Sequence, residues 1–210
     1  METPSHVSPA REVQGAAVFV NRERKMPAIP TQPPETEPLT LDEAKAFLRV
    51  EHADEDELIA SLIKAARMAV EAATRRALIT QGFRIVLDAW PAGDRIPSPV
   101  SPLRSLTGAR VRAANGSAAD IDLTAFTIDT ASNVIHFDRG LVSEPGQPIA
   151  GIEIEVTAGY GEDALSVPEP LRQAMRFLVA RHYAQRDRVE KDDLPETVRA
   201  LIAPYRAVSL

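Results

Sequence analysis

Ser61 and Lys64 stand three residues apart, the S-x-x-K spacing in which a lysine one helical turn on activates a serine nucleophile. The S-D-N and K-T-G partners of that chemistry are absent, so the pair reads as part of a polar helix stripe. Asp54-x-Asp56 and Asp120-x-Asp122 have the opening spacing of a calcium loop. Both lack the required glycine, and Ala65 and Ala131 stand where the closing glutamate belongs. The four histidines, His6, His52, His136 and His182, are scattered without the spacing of metal ligands. His182 falls on an apolar helix face and is expected to be a satisfied core histidine. With no cysteine, disulfides, thiolate metal sites and cysteine nucleophiles are excluded. Neither G-x-x-x-x-G-K-[ST] nor G-x-G-x-x-G occurs, and Gly159-Tyr160-Gly161 reads as a strand-to-helix turn. The expectation is no enzyme: no catalytic residue, no cofactor and no metal.

The elements that would position any site come in a clear order. Thr40-Leu41-Asp42-Glu43 is a capping box that opens a short helix ending near Val50. A second helix is predicted to start at Asp54 and run about 20 residues. On it Ser61, Lys64, Arg67, Glu71 and Arg75 form a polar stripe, and Leu58, Leu62, Ala66, Ala69 and Ala73 fall on the apolar side. Strand signals follow. Phe83, Ile85 and Leu87 alternate with polar positions, and Leu106 to Arg112 reads as a strand before an Asn115-Gly116 hairpin turn. Phe126–Asp129 and Val134–Phe137 read as a second hairpin. Between the first strand and Leu106, Pro97, Pro99 and Pro102 leave little room for a central strand. Ile152, Ile154 and Val156 are expected inward, with Glu153 and Glu155 outward. The sum is a small antiparallel sheet, a barrel or a sandwich, set into a helical frame.

Pro168 and Pro170 suit the first turn of a third long helix, with Leu171, Ala174, Met175, Leu178 and His182 on one face. A last helix spans Pro195 to about Ala203. Residues 1–38 hold seven of the chain's 17 prolines, so they read as a disordered tail. Met26 within them is a possible alternative start.

The 210 residues suit one domain, or one with an embedded subdomain, and 44% hydrophobic residues suffice for an ordinary core. No apolar run approaches the roughly 18 residues of a membrane span. The N-terminus lacks the apolar stretch of a signal peptide, so the cytoplasm is the expected birthplace. A net charge of −6 argues against a dedicated nucleic-acid binder. The charge is also segregated. Residues 35–57 hold nine acids against two bases, a net of −7, while residues 171–191 hold six bases against two acids, a net of +4. These stretches either face each other within one chain or meet across a head-to-tail contact between subunits. On the second reading Asp54, Glu55, Asp56 and Glu57 meet Arg172, Arg176 and Arg186 of a neighbour.

The segments LTLDEAKAFLRV, DEDELIASLIKAARMAVEAATRRAL, TAGYG and VPEPLRQAMRFLVARHY, in that order, resemble the head–tail connector (adaptor) proteins of long-tailed bacteriophages and gene transfer agents. The resemblance covers roughly residues 39 to 206. It implies an α+β chain: a connector-type helical bundle of about four helices (residues 39–78 and 167–210) carrying an inserted antiparallel β subdomain (79–166). That insert departs from the family's simplest members, which are nearly all helical. The resemblance further implies a structural subunit of a homo-oligomeric ring, typically twelvefold, between portal protein and tail. DNA would pass through an axial channel. The partners implied are the chain itself, the portal protein and a tail-side connector or tail terminator protein, with DNA only in transit and no membrane. Such a subunit works in the bacterial cytoplasm during assembly and then at the head–tail junction of the particle. Two other readings stand beside it. One is a DNA-binding packaging accessory using Arg172, Arg176, Arg181 and Arg186 on phosphates. The other, further off, is an enzyme of unrecognised class.

Overall fold

The computed structural model describes residues 26–185 and 194–206. Thr40 opens the first helix, α1 (Leu41–Leu48), with both halves of the capping box in place. The Glu43 amide donates to the Thr40 hydroxyl at 3.2 Å, and the Thr40 amide donates to the Glu43 carboxylate at 3.0 Å. The second helix, α2 (Asp56–Thr74), begins two residues later than the sequence suggests, and Arg75 ends it in the left-handed conformation, φ 56°. Its buried apolar residues are Ile59, Ile63, Ala66 and Val70. Of the expected apolar side, Ala66 is buried and Leu62, Ala69 and Ala73 pack half-buried against the same core, so the face is turned toward Ile59 and Ile63. The expected polar stripe misleads because Arg67 and Glu71 are not wet. Arg67 is 5% exposed and donates to Glu37 (2.8 Å) and Glu71 (2.9 Å). The side chains that do face solvent include Ser61, Lys64, Met68, Ala72 and Arg75.

Helices α3 (Glu169–Ala184) and α4 (Glu196–Ile202) complete the four helices of the described residues. Pro168 precedes α3 and Pro170 sits in its first turn, where a missing N–H costs nothing. Leu171, Ala174, Met175, Leu178 and Val179 are buried on it. His182 is exposed, not a core histidine; Val179 takes the apolar position one turn earlier. The four helices share one core that includes Leu39, Ile59, Ile63, Val70, Leu171, Met175 and Ile202. Burying each such side chain contributes about 1.5–3 kcal/mol.

The strands form two antiparallel sheets. The larger has the order β1 (Ala28–Gln32), β2 (Gln81–Leu87), β8 (Ile152–Ala158), β4 (Leu103–Arg112) and β5 (Ala118–Asp120). The smaller has the order β3 (Arg95–Pro97), β7 (Val134–Phe137) and β6 (Phe126–Asp129). One apolar core joins them, with Phe83, Ile85, Ile152, Ile154 and Val156 of the larger against Ile96, Ile135 and Phe137 of the smaller and Trp90 between strands. Ile152, Ile154 and Val156 do point inward. Glu153 lies on the opposite face yet is only 8% exposed, because Arg112 covers it with bonds of 2.9 and 2.6 Å. That face is an ionic ladder rather than a freely wet surface.

Strand β1 corrects the expectation of a disordered tail over its last residues. Ala28, Ile29 and Pro30 pair with Ile85, Arg84 and Phe83, and the register slips before Gln32. Pro30 is tolerated because β1 is an edge strand. The expected tail's remaining residues, 1–25, lie outside the described residues. Edge position also explains β3, which ends on Pro97. Strand β8 leaves the sheet through Gly159, φ 147°. A Cβ there would lie 2.5 Å from the Ile79 and Thr80 backbone, so only glycine fits the turn.

Candidate subunit interface

The two charged stretches meet inside one chain. Glu43, from the acidic stretch, accepts from Arg172 Nη2 and lies 3.8 Å from Arg176 Nη2. Arg172 is 5% exposed, and its remaining nitrogens donate to the Pro38 carbonyl and to Glu169, each at 3.0 Å. Arg176 donates to Glu169 at 2.5 Å and to Gln173 at 3.1 Å. On the subunit-contact reading both arginines are expected to meet the acids of a neighbour. They are instead committed to a clasp between α1, α3 and the segment before α1, which leaves little of either for a neighbour. Arg186 lies outside the described residues.

The acidic side divides. Asp56 sits 2.5 Å from Lys45 Nζ, and Glu55 accepts from the Tyr183 hydroxyl. These two tie the start of α2 to α1 and α3. Asp54 projects into solvent, with its nearest partner His52 Nδ1 at 3.9 Å, and Glu57 is also exposed. Of the described residues expected at an interface, Asp54 and Glu57 present charge outward.

The electrostatics follow from these contacts. Burial pushes the Glu43 carboxyl up, but hydrogen bonds from the Thr40 amide and from Arg172 outweigh it and hold the group below its ordinary range. Hydrogen bonding from Arg176 lowers Glu169 likewise. Glu71 goes the other way. Burial dominates over the Leu78 amide, Arg67 and Gln81 and raises it. Glu71 therefore braces α2 against the start of β2, accepting from Leu78 N at 2.9 Å and Gln81 Nε2 at 2.8 Å.

The motifs that suggested chemistry are occupied structurally. Ser61 Oγ donates to the Leu58 carbonyl at 2.7 Å within its own helix. Asp120 pairs with Arg110, and Asp122 caps a short 3-10 turn by accepting from Thr124. Among the described residues no cluster of histidine and carboxylate side chains could hold a metal ion, and no helix is long and apolar enough to cross a membrane.

Sequence reasoning missed one surface. An apolar groove of about 730 Å³ runs between β1, the outer face of α2 and the Pro97–Val100 segment. Met26, Met68, Ala72 and Val100 line it, with Arg75 beside them. Its signal in the sequence was the pair Met68 and Ala72 on the outer face of α2. That signal was lost when Arg67 and Glu71 were assigned to the outside.

Residues 38–104 match the family of phage gp6-like head-tail connector proteins. No functionally curated protein matches the chain. Solved structures match over most of its length, among them the following three. The neck of an empty gene transfer agent (GTA) particle, computed with C6 symmetry, contains a chain 30% identical to this one. The match covers 88% of this chain and 97% of that one, with a TM-score of 0.72. The virion of a native gene transfer agent particle gives 28% identity and a TM-score of 0.73 over the same shares. The neck of a native GTA particle, computed with C12 symmetry, gives 29% identity and 0.68 over 86% of this chain and 97% of that one.

Proposed function

This chain belongs to the phage head–tail connector family, and from that premise we propose that it is a ring-forming subunit joining the head of a phage-like particle to its tail. It is a structural protein, not an enzyme. The observation that carries the reading is the 30% identity to a particle-neck chain, with 97% of that chain covered. Near-complete coverage means that both the helices and the sheets belong to the shared fold, so the β region is part of the neck-type subunit. The symmetry of the matching necks supports a ring of identical copies, which we take as twelvefold. Closing such a ring requires two different patches on each copy. The opening is read as a DNA channel. The chain's net charge of −6 suits a conduit, since a strongly basic lining would hold DNA by counterion release. The portal protein on one side and a tail-side connector or tail terminator on the other are the expected partners. Assembly takes place in the bacterial cytoplasm.

Deleting the gene in a particle-producing strain tests this. Electron micrographs should show filled heads without tails, and the wild-type gene in trans should restore tails. Normally tailed particles from the deletion strain would sink the connector reading. The DNA-accessory reading differs in outcome: it predicts empty heads, together with a salt-dependent shift of DNA mobility by the pure protein.

A further inference from the structure

Two features of the exposed apolar surface, a hollow and a projection, stand out among the described residues, beside single exposed side chains such as Leu141 and Ile149. The hollow is the groove bordered by Met68, which is 56% exposed, and Ala72, with the exposed Arg75 at its rim. The projection is the turn between β8 and α3. Leu165 at its tip is 83% exposed, the highest value of any large apolar side chain described. Glu162 and Asp163, both exposed, flank it. No residue of that turn lines the groove, so hollow and projection are separate patches of one chain.

We propose that the groove receives the Leu165 turn of the next copy in the ring. This rests on the connector reading and names the contact that reading requires. A head-to-tail contact needs two unlike patches that fit each other. An aliphatic tip carrying two carboxylates matches an apolar groove with a cation at its rim. Glu71 in the groove wall does not oppose those carboxylates as a bare charge, because Arg67, Leu78 and Gln81 already bond it. The apolar tip supplies the anchor, and Arg75 opposite Glu162 and Asp163 sets its orientation.

The chain has no cysteine, so engineered pairs can be read without background. Full-length Leu165→Cys/Ala72→Cys in assembled particles should give, on mild oxidation, a ladder of cross-linked multimers on a denaturing gel. Each single variant should remain monomeric. No ladder from particles that contain the double variant would overturn this contact and leave the connector reading standing. Dimers from Leu165→Cys alone would mean a two-fold contact and would also overturn it. Absence of the wild-type chain from purified particles would sink the connector reading and this contact with it. A second variant covers failure of the cysteine chain to assemble. Arg75→Glu should lose tail attachment, and adding Glu162→Arg with Asp163→Arg should restore it. Retained attachment in Arg75→Glu, or loss without restoration, would overturn the proposal.

Discussion

The helical half and the sheet half of this molecule use arginine in opposite ways. In the helical half Arg67 and Arg172 are each 5% exposed, and their partners Glu37, Pro38 and Glu43 are distant in sequence. In the sheet half the side chains of Arg84, Arg110 and Arg112 are 36–42% exposed and pair with acids on neighbouring strands. A buried guanidinium that loses a partner leaves an uncompensated charge in a poor solvent, whereas a half-exposed one falls back on water. The number of ion pairs therefore says little about stability. What matters is where each would be left if broken.

The strongest break is apolar, and it lies in the sheet half. Ile154 is 0% exposed at the centre of β8, between β2 and β4. Ile154→Asp should cost more than about 4 kcal/mol, enough to unfold the sheets. Circular dichroism should show lost β signal, and a folded variant with a near wild-type midpoint would place the strand in the wrong register. Next comes Arg172→Ala, expected to cost about 1–3 kcal/mol by urea denaturation because the Pro38 carbonyl loses its donor, while the part-exposed Glu43 keeps water and Arg176. A cost below about 1 kcal/mol would show that the clasp is as loose as the ladder. The contrasting variant is Arg110→Ala, expected to leave the urea midpoint close to wild type since Asp120 is largely exposed. A loss equal to that of Arg172→Ala would erase the distinction between the halves.

The smallest effect is in the acid dependence. Glu43 and Glu169 are held below the ordinary carboxylate range. They contribute stability above that range and lose it as pH falls through their folded values. Glu71 is raised, so its contribution is present at low pH and lost as pH rises through its folded value. Glu43→Gln should therefore flatten the fall of the thermal midpoint on acidification, and Glu71→Gln should steepen it. Parallel pH profiles for both variants and wild type would rule out this assignment.

Local signals in the sequence carried well into the structure. The Thr40 capping box, the β6–β7 hairpin and the inward face of β8 depend on residues within a few positions of one another. The family resemblance rested on such segments, and the fold class followed from their order. What the sequence hid was non-local. Arg67, Glu71 and Arg172 look like surface residues until Glu37, Pro38 and Glu43 are folded against them. Strand β1 hid behind its prolines because its pairing partner lies some fifty residues on. The two readings of the charged stretches stayed open in the sequence for the same reason: charge segregation along a chain does not reveal whether the two stretches already meet, as Glu43 and Arg172 do. Hence Met68 and Ala72, the apolar residues on the outside of α2, went unnoticed.

The way the halves are joined has a mechanical meaning. The chain crosses between them three times, from β1 to α1, from α2 to β2 and from β8 to α3. Strands β1, β2 and β8 are neighbours in one sheet and all connect from the same end. The three crossings therefore lie in a row, at the roughly 4.8 Å spacing of strands. Such a row acts as a leaf spring. It resists twisting and sideways shear, which would stretch backbone on one flank, and yields most readily by bending about the line of the row. Arg76 opposes that soft motion. It donates to the Tyr205 carbonyl at 2.7 Å and to the Tyr160 hydroxyl at 3.2 Å, lashing the end of α2 both to the C-terminal helical turn and to the turn after β8. A load applied to the sheets would thus reach the helices with its direction largely preserved.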